Sequence, residues 1–276
     1  MKRVPPWHHC VITGGSSGLG LEIARQLVPQ GVAVTLVARN ESRLALAAVG
    51  LRHQTPGANV RTLVLDVVDA AATRAAFEEL AEKTGAIDTL INSAGILIEG
   101  HAGQLTIDDY RAVMDVNLFG TVNACTAALA TFGDSSPTVV NVSSVAGLMG
   151  VFGYTAYCSS KHAIVGYTRS LAHELEPRGV RVVLVCPGEF DSPMVDALDT
   201  SRTPENREHT LTIPKLSVEQ VAAETISGIA SGRRMIVPGR RTRAAVLANR
   251  LLPRISDAVA RRRIARVYTG PERSAP

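Results

Sequence analysis

Residues 10–31 read CVITGGSSGLGLEIARQLVPQG, and this order of apolar run, glycine cluster and amphipathic run decides the fold. Cys10-Val11-Ile12 leads into Thr13-Gly14-Gly15-Ser16-Ser17-Gly18-Leu19-Gly20. Leu21, Ala24, Leu27 and Val28 then recur at helical spacing until Pro29 and Gly31 stop the pattern. The stretch predicts strand, glycine loop and helix. Glycines in such a loop permit a tight turn and close backbone approach to a pyrophosphate, which rests on the helix N-terminus. The spacing is G-x-x-x-G-x-G rather than G-x-G-x-x-G. Gly14, Ser16, Ser17, Gly18, Leu19 and Gly20 are the candidate cofactor contacts here.

The alternation repeats outward from this unit. VAVTLVAR (32–39) is almost continuously apolar, as expected of a parallel strand buried on both faces. Residues 60–67, 87–95, 138–143, 180–190 and 234–238 read as further strands, separated by helical runs. The pattern predicts an α/β fold, a Rossmann-type doubly wound parallel sheet in one domain over residues 8–238, with a helical extension over 239–276. In a dinucleotide fold the end of the second strand meets the adenosine ribose. An acid there would bind the 2′-hydroxyl, whereas Arg39 suits a 2′-phosphate and so NADP(H), with Asn40 beside it. Asp66 and Val67 end the third strand, facing the adenine edge, and Asn92, Ala94 and Gly95 end the fourth, where small residues let the chain pass close to the cofactor. Residues 189–216 are polar and carry Pro193, Pro204 and Pro214, so they read as a long loop serving as a substrate lid.

The chemistry lies in VSSVAGLMGVFGYTAYCSSKHA (142–163). Tyr157 and Lys161 are four residues apart, so on a helix they share a face. A nearby ammonium favours phenolate and would lower the Tyr157 pKa toward working pH. The preceding strand ends at Ser143–Ser144, from which a serine hydroxyl can meet that of Tyr157 over a carbonyl oxygen. Asn117 lies within the long helical run that the capping box Thr106–Asp109 opens. It reads either as a satisfied core amide or as a kink residue holding a water in a proton relay to Lys161. Leu148, Met149, Phe152, Phe190 and Met194, with Ser144, are the candidate substrate contacts, and their apolar character favours a hydrophobic or lipid-like substrate over a sugar.

The 276 residues suffice for one large α/β domain, and a mean hydropathy of +0.13 allows a substantial core. The opening residues are basic without a following apolar stretch, and no apolar run reaches about 18 residues, so neither a signal peptide nor a span is predicted. Cys10, Cys125, Cys158 and Cys186 are far apart, which fits free thiols in a cytoplasmic setting and no metal site. Asn141-Val142-Ser143 matches a glycosylation sequon but falls in a predicted buried strand. Residues 240–266 hold nine Arg and one acid, Asp257, so that segment carries +8 and the rest of the chain −4. This tail reads as one or two basic amphipathic helices broken at Pro253. It can pack over the site mouth or a partner subunit, lie peripherally on a membrane, or stay solvated. No reading element or aromatic interleaving accompanies its charge, so no nucleic-acid partner is predicted.

Together these positions resemble the short-chain dehydrogenase/reductase family. Thr13–Gly20 is similar to its TGxxxGxG loop, Asn92-Ser-Ala-Gly95 to its NNAG, and Ser144, Tyr157 and Lys161 to its catalytic Ser–Tyr–Lys. Asn117 matches its fourth catalytic member, and Pro187-Gly188 its post-strand cofactor motif. Ser93 replaces the second Asn of NNAG. TLVARNESRL and AGLMGVFGYTAYCSSKHAI also resemble the family's 3-ketodihydrosphingosine reductase branch, from which PGEFDSPM departs. The resemblance implies an NADP(H)-dependent carbonyl reductase, acting on a small-molecule or lipid-like ketone such as a 3-keto sphingoid base. It also implies a homodimer or homotetramer assembled through helices 106–132 and 153–176. An acyl-CoA, acyl-carrier or secondary-metabolite reductase, and a non-catalytic NADP(H) sensor, are the rival readings.

Overall fold

The computed structural model describes residues 7–133, 136–210 and 213–269. The basic opening residues, part of the 189–216 segment and the end of the tail lie outside the described residues.

Seven parallel strands form one sheet in the order β3-β2-β1-β4-β5-β6-β7. They are β1 (His9–Thr13), β2 (Ala33–Ala38), β3 (Val60–Val64), β4 (Thr89–Asn92), β5 (Thr138–Val142), β6 (Arg181–Val185) and β7 (Met235–Ile236). The helices between them are α1 (Gly18–Leu27), α2 (Glu41–Gln54), α3 (Ala70–Thr84), α4 (Ile107–Met114), α5 (Gly120–Thr131), α6 (Thr155–Leu175), α7 (Pro193–Ser201), α8 (Pro204–Thr210) and α9 (Val218–Ala230).

Strand side chains alternate between two buried faces. Cys10, Ile12, Val34, Leu36, Val183 and Val185 meet α1, α2 and α9, while Val11, Val37, Val139 and Val182 meet α3, α5 and α6. The connections that follow β1 and β4 run in opposite directions, toward β2 and toward β5, and such a switch point opens a crevice beyond the carboxyl ends of the strands. The apolar runs at 87–95 and 180–190 overshoot their strands, which stop at Asn92 and Val185 because the remaining residues leave the sheet to form the crevice walls.

The predicted long loop over 189–216 contains two helices. Ser192 accepts from the Val195 amide at 3.3 Å and caps α7, and Pro193 and Pro204 occupy first helical positions. Proline there is a start signal, since its missing N–H has no intrahelical partner to lose. The long helix opened at Thr106 is interrupted by a π turn, Asp115–Phe119. By length and composition the stretch Ile107–Thr131 is, among the described residues, the one helix able to cross a membrane, yet it packs within the fold against α3 and α6. The tail forms α10 (Arg240–Leu251) and α11 (Pro253–Thr269), broken before Pro253 as predicted, and α11 packs on α8. Asn141 of the sequon is fully buried, as are the thiols of Cys10, Cys125 and Cys186.

Candidate active site

A cleft of about 810 Å3 opens beyond the carboxyl ends of β1, β4, β5 and β6. Gly14, Ser17, Gly18 and Leu19 form one end, and Ser93, Ala94 and Gly95 line it beside them. Gly14 has φ +66°, and a Cβ there would stand 2.7 Å from the Ser93 carbonyl oxygen, so only glycine permits this approach. Ser17 takes the N-cap position of α1 without a side-chain capping bond, and no acid lies in the first turn. The leading N–H groups are therefore left for an external anion. Ser16 and Gly20 do not line the cleft. A Cβ on Gly20 would stand 2.6 Å from the Gly14 carbonyl oxygen, so Gly20 lets α1 pack beneath the loop.

Ser144, Tyr157 and Lys161 converge on the cleft floor. Ser144, at the end of β5, accepts from the Ala146 amide at 3.1 Å and donates to the Pro187 carbonyl at 3.4 Å, with its hydroxyl beside that of Tyr157. Lys161, one turn along α6, is buried and donates to the Val142 carbonyl at 3.1 Å. Its Nζ stands 5.5 Å from the Tyr157 ring centroid. The sequence-based expectation of a lowered Tyr157 pKa is not met. Burial pushes the phenol well above its usual range, with the Ser144 hydrogen bond opposing, and burial pushes Lys161 down to about 8. Both groups are withdrawn from water, and desolvation dominates their titration.

The neighbouring loop is locked to Lys161. Ser143 Oγ donates to the Lys161 carbonyl at 2.8 Å, and a Cβ on Gly147 would stand 2.5 Å from that same oxygen. Gly147→Ala is expected to cost about 1–3 kcal/mol and to lower turnover by displacing α6. Urea unfolding checks this, and an unchanged midpoint would remove the packing role.

Several predicted contacts have other roles. Asn92 is buried in a polar ladder, donating to Asn141 Oδ1 at 2.9 Å and accepting from Thr13 at 3.4 Å, while Asn141 donates to Thr168 at 3.0 Å. It ties β1, β4, β5 and α6 together instead of lining the cleft. Asn117, on the π turn and fully buried, accepts from the Ile96 amide at 2.8 Å. It donates to the Ile96 carbonyl at 3.0 Å and to Ser160 at 2.9 Å. Both amide hydrogens are engaged, so its side chain positions the Gly95–Leu97 loop against α6.

Arg39, Asn40, Asp66 and Val67 lie outside the cleft lining, at the ends of β2 and β3. Arg39 is 3.7 Å from Asp66, Asn40 caps α2 by accepting from Arg43, and Val67 is buried with its carbonyl held by Asn123. Leu148 packs on Val165, Leu184 and Cys186, and Phe152 stacks edge-on against His101, so neither lines the cleft. Met149, Pro187, Gly188, Phe190 and Met194 do line it.

Two features of the site escaped sequence reading. Tyr154 is buried in the cleft wall, edge-on to Tyr157 at 5.7 Å, and its i, i+3 spacing in YTAY was the available signal. The α7–α8 segment is fastened to the walls. Arg202, its side chain wholly enclosed, bonds Glu189 at 2.7 Å and Thr210 at 2.8 Å, Thr203 donates to Glu99 at 2.6 Å, and Asn206 donates to the Phe152 carbonyl at 2.6 Å. Burial and Arg263 hold His209 below the usual histidine range, so at neutral pH its Nδ1 accepts from the Phe152 amide at 3.0 Å. The tail takes the first of its expected placements, over the site mouth, where α10 and α11 form the outer wall through residues including Ala245, Leu252, Ile255, Val259 and Ile264.

Residues 8–203 match the short chain dehydrogenase family. The chain is 34% identical over 231 residues to 3-ketodihydrosphingosine reductase of Bos taurus, covering 82% of this chain and 70% of the relative. A short chain dehydrogenase/reductase from Burkholderia phymatum, solved in complex with NAD, superposes with a TM-score of 0.79 at 26% identity, over 90% of this chain and 95% of that one. A variant of actinorhodin polyketide ketoreductase, solved with NADPH, superposes with a TM-score of 0.76 at 28% identity, over 84% and 95%.

Proposed function

The chain belongs to the short-chain dehydrogenase family, and from that premise we propose that it is an NADP(H)-dependent reductase of hydrophobic, lipid-like ketones. The observation that carries the reading is the Ser144–Tyr157 hydroxyl pair, backed by Lys161, on the floor of a cleft whose outer walls are aliphatic. The uncapped start of α1 and the close approach that Gly14 permits fit a dinucleotide. Gly14, Ser17, Gly18 and Leu19 would hold its pyrophosphate, Ala94, Gly95 and Lys161 the ribose, and Pro187-Gly188 the nicotinamide end. The bound nicotinamide supplies the hydride to the carbonyl carbon. Arg39, 61% exposed and only loosely paired with Asp66, would be free to take a 2′-phosphate.

The protein's own part is proton delivery and charge stabilisation. Tyr157 is a phenol at neutral pH because burial disfavours its anion, so it gives its Oη proton to the carbonyl oxygen. Ser144 Oγ donates to that oxygen as negative charge develops. Lys161 then steadies the tyrosinate from behind. The raised Tyr157 pKa favours reduction over alcohol oxidation at neutral pH. Exposed Ile107 on α4 and Phe119 on the π turn that follows support assembly as a homodimer or homotetramer through that helical stretch and α6. A second reading, reduction of a CoA- or carrier-bound acyl ketone, is favoured by Arg261 and Arg263 on the outer wall, which suit an anionic carrier.

Initial rates with NADPH and NADH on a long-chain 3-keto sphingoid base, a 3-ketoacyl-CoA and small aryl ketones test the reading. NADPH with the long-chain ketone is expected to dominate, and Arg39→Asp to lower kcat/KM for NADPH by about 10–100-fold while sparing NADH. NADH outperforming NADPH in the unaltered protein would overturn the role of Arg39. Turnover of small ketones alone would overturn the lipid-like substrate.

A further inference from the structure

The α10–α11 hairpin joins two properties that seldom coexist on a water-facing surface. It carries nine arginines against one acid, and its outer face is aliphatic. Leu247 and Leu251 stand one turn apart on α10, 55% and 65% exposed, and Ile255 and Val259 stand one turn apart on α11, 58% and 50% exposed. Arg250 and Leu251 are adjacent at the end of α10, while Arg262 and Arg266 continue the Ile255–Val259 face at helical spacing. The opposite side of α11, marked by half-buried Ala260, Ile264 and Val267, faces the domain. The outer aliphatic row is thus left exposed among the described residues.

We propose that this face docks the enzyme on an anionic lipid bilayer, with the mouth of the catalytic cleft opening onto the lipid. Geometry and charge select this occupant. At 12 and 17 residues the helices extend only about 18 and 26 Å, short of a span of about 30 Å, and both are studded with arginine. They must lie in the interface, aliphatic side chains inserted and guanidinium groups among the headgroups. A second copy docked through the same face would set two +8 surfaces against each other, which their charge opposes. The face is also continuous with the site, because Ile255 and Val259 belong to both the exposed row and the cleft lining, and Leu252 joins them at the elbow. An apolar ketone could pass from lipid to Tyr157 along aliphatic surface. This last step rests on the substrate reading above, whereas docking itself does not.

Vesicle flotation of the full chain separates the two. Vesicles of phosphatidylcholine with about one third phosphatidylglycerol are expected to carry the protein, pure phosphatidylcholine vesicles to leave most of it behind, and raising salt from about 0.1 to 0.5 M to release it. The double variant Arg262→Gln/Arg266→Gln is expected to partition about 25-fold less, at about fivefold per charge. Leu251→Glu is expected to lose at least tenfold. None of these three residues lines the cleft, so NADPH turnover of a water-soluble ketone should stay unchanged and certify folding. Absence of flotation on anionic vesicles, or equal salt-insensitive binding to neutral ones, overturns the proposal. So does saturable binding to an acidic acyl-carrier protein without flotation. Loss of soluble-ketone turnover in the unaltered protein would instead overturn the catalytic reading and leave docking standing.

Discussion

Tyr157→Phe is expected to reduce turnover by about three orders of magnitude while leaving NADPH affinity and the unfolding midpoint nearly unchanged. The substitution removes one oxygen and keeps the ring edge-on to Tyr154 at 5.7 Å. Ser144 keeps its bond from the Ala146 amide, so the cleft floor is not dismantled. What disappears is the phenolic proton held beside Ser144, and water in an aliphatic cleft is a poor replacement. Fluorescence titration of NADPH together with steady-state reduction checks the split between binding and chemistry. Turnover near that of the unaltered protein would sink the assignment of Tyr157 as proton donor. A pH series adds a second reading. Because burial holds the phenol above its usual range, reduction should be flat below about pH 7 and fall only as Lys161 loses its proton near 8. Oxidation of the matching alcohol, which needs the tyrosinate, should climb as pH rises.

Lys161→Met is expected to abolish most turnover and yet stabilise the ligand-free protein at neutral pH. Lys161 is 4% exposed, its ammonium donates to the Val142 carbonyl, and burial lowers its pKa to about 8. Below that value both folded and unfolded chains hold the proton, and the full penalty of burying the charge stands. Between about 8 and 10.4 the unfolded chain binds more protons, so stability rises with pH and the penalty fades. The shift sets the penalty at no more than about 3 kcal/mol, part of which methionine returns by forgoing the Val142 bond. A gain of about 1–2 kcal/mol at pH 7, with loss of the rise above pH 8, is therefore expected from urea titrations across pH. A variant less stable at pH 7 that keeps the rise would show that Lys161 is not the source. The result would also explain why so unfavourable a residue sits in the core, since its charge matters when Tyr157 gives up its proton.

The sequence by itself determined the alternation of strands and helices, the glycine loop after β1 and the spacing of Ser144, Tyr157 and Lys161. Each of these is written within about twenty residues, where periodicity, capping and turn chemistry act. It also placed the break at Pro253, because proline acts locally. Tertiary structure decided which side chains face the cleft. Leu148 and Phe152 read as substrate contacts but turn into packing with Leu184 and His101, while Tyr154 turns into the wall. The same holds for Asn92 and Asn117, whose amides answer partners 49 and 43 residues away, Asn141 and Ser160. Two prolines that read as loop marks began helices once Ser192 and the Arg202–Glu189 pair fixed the segment against the cleft. The titration of Tyr157 and Lys161 was likewise beyond local pattern. Their spacing predicts mutual attraction, but desolvation depends on everything packed around them, and that sum is set only when the chain has closed over the site.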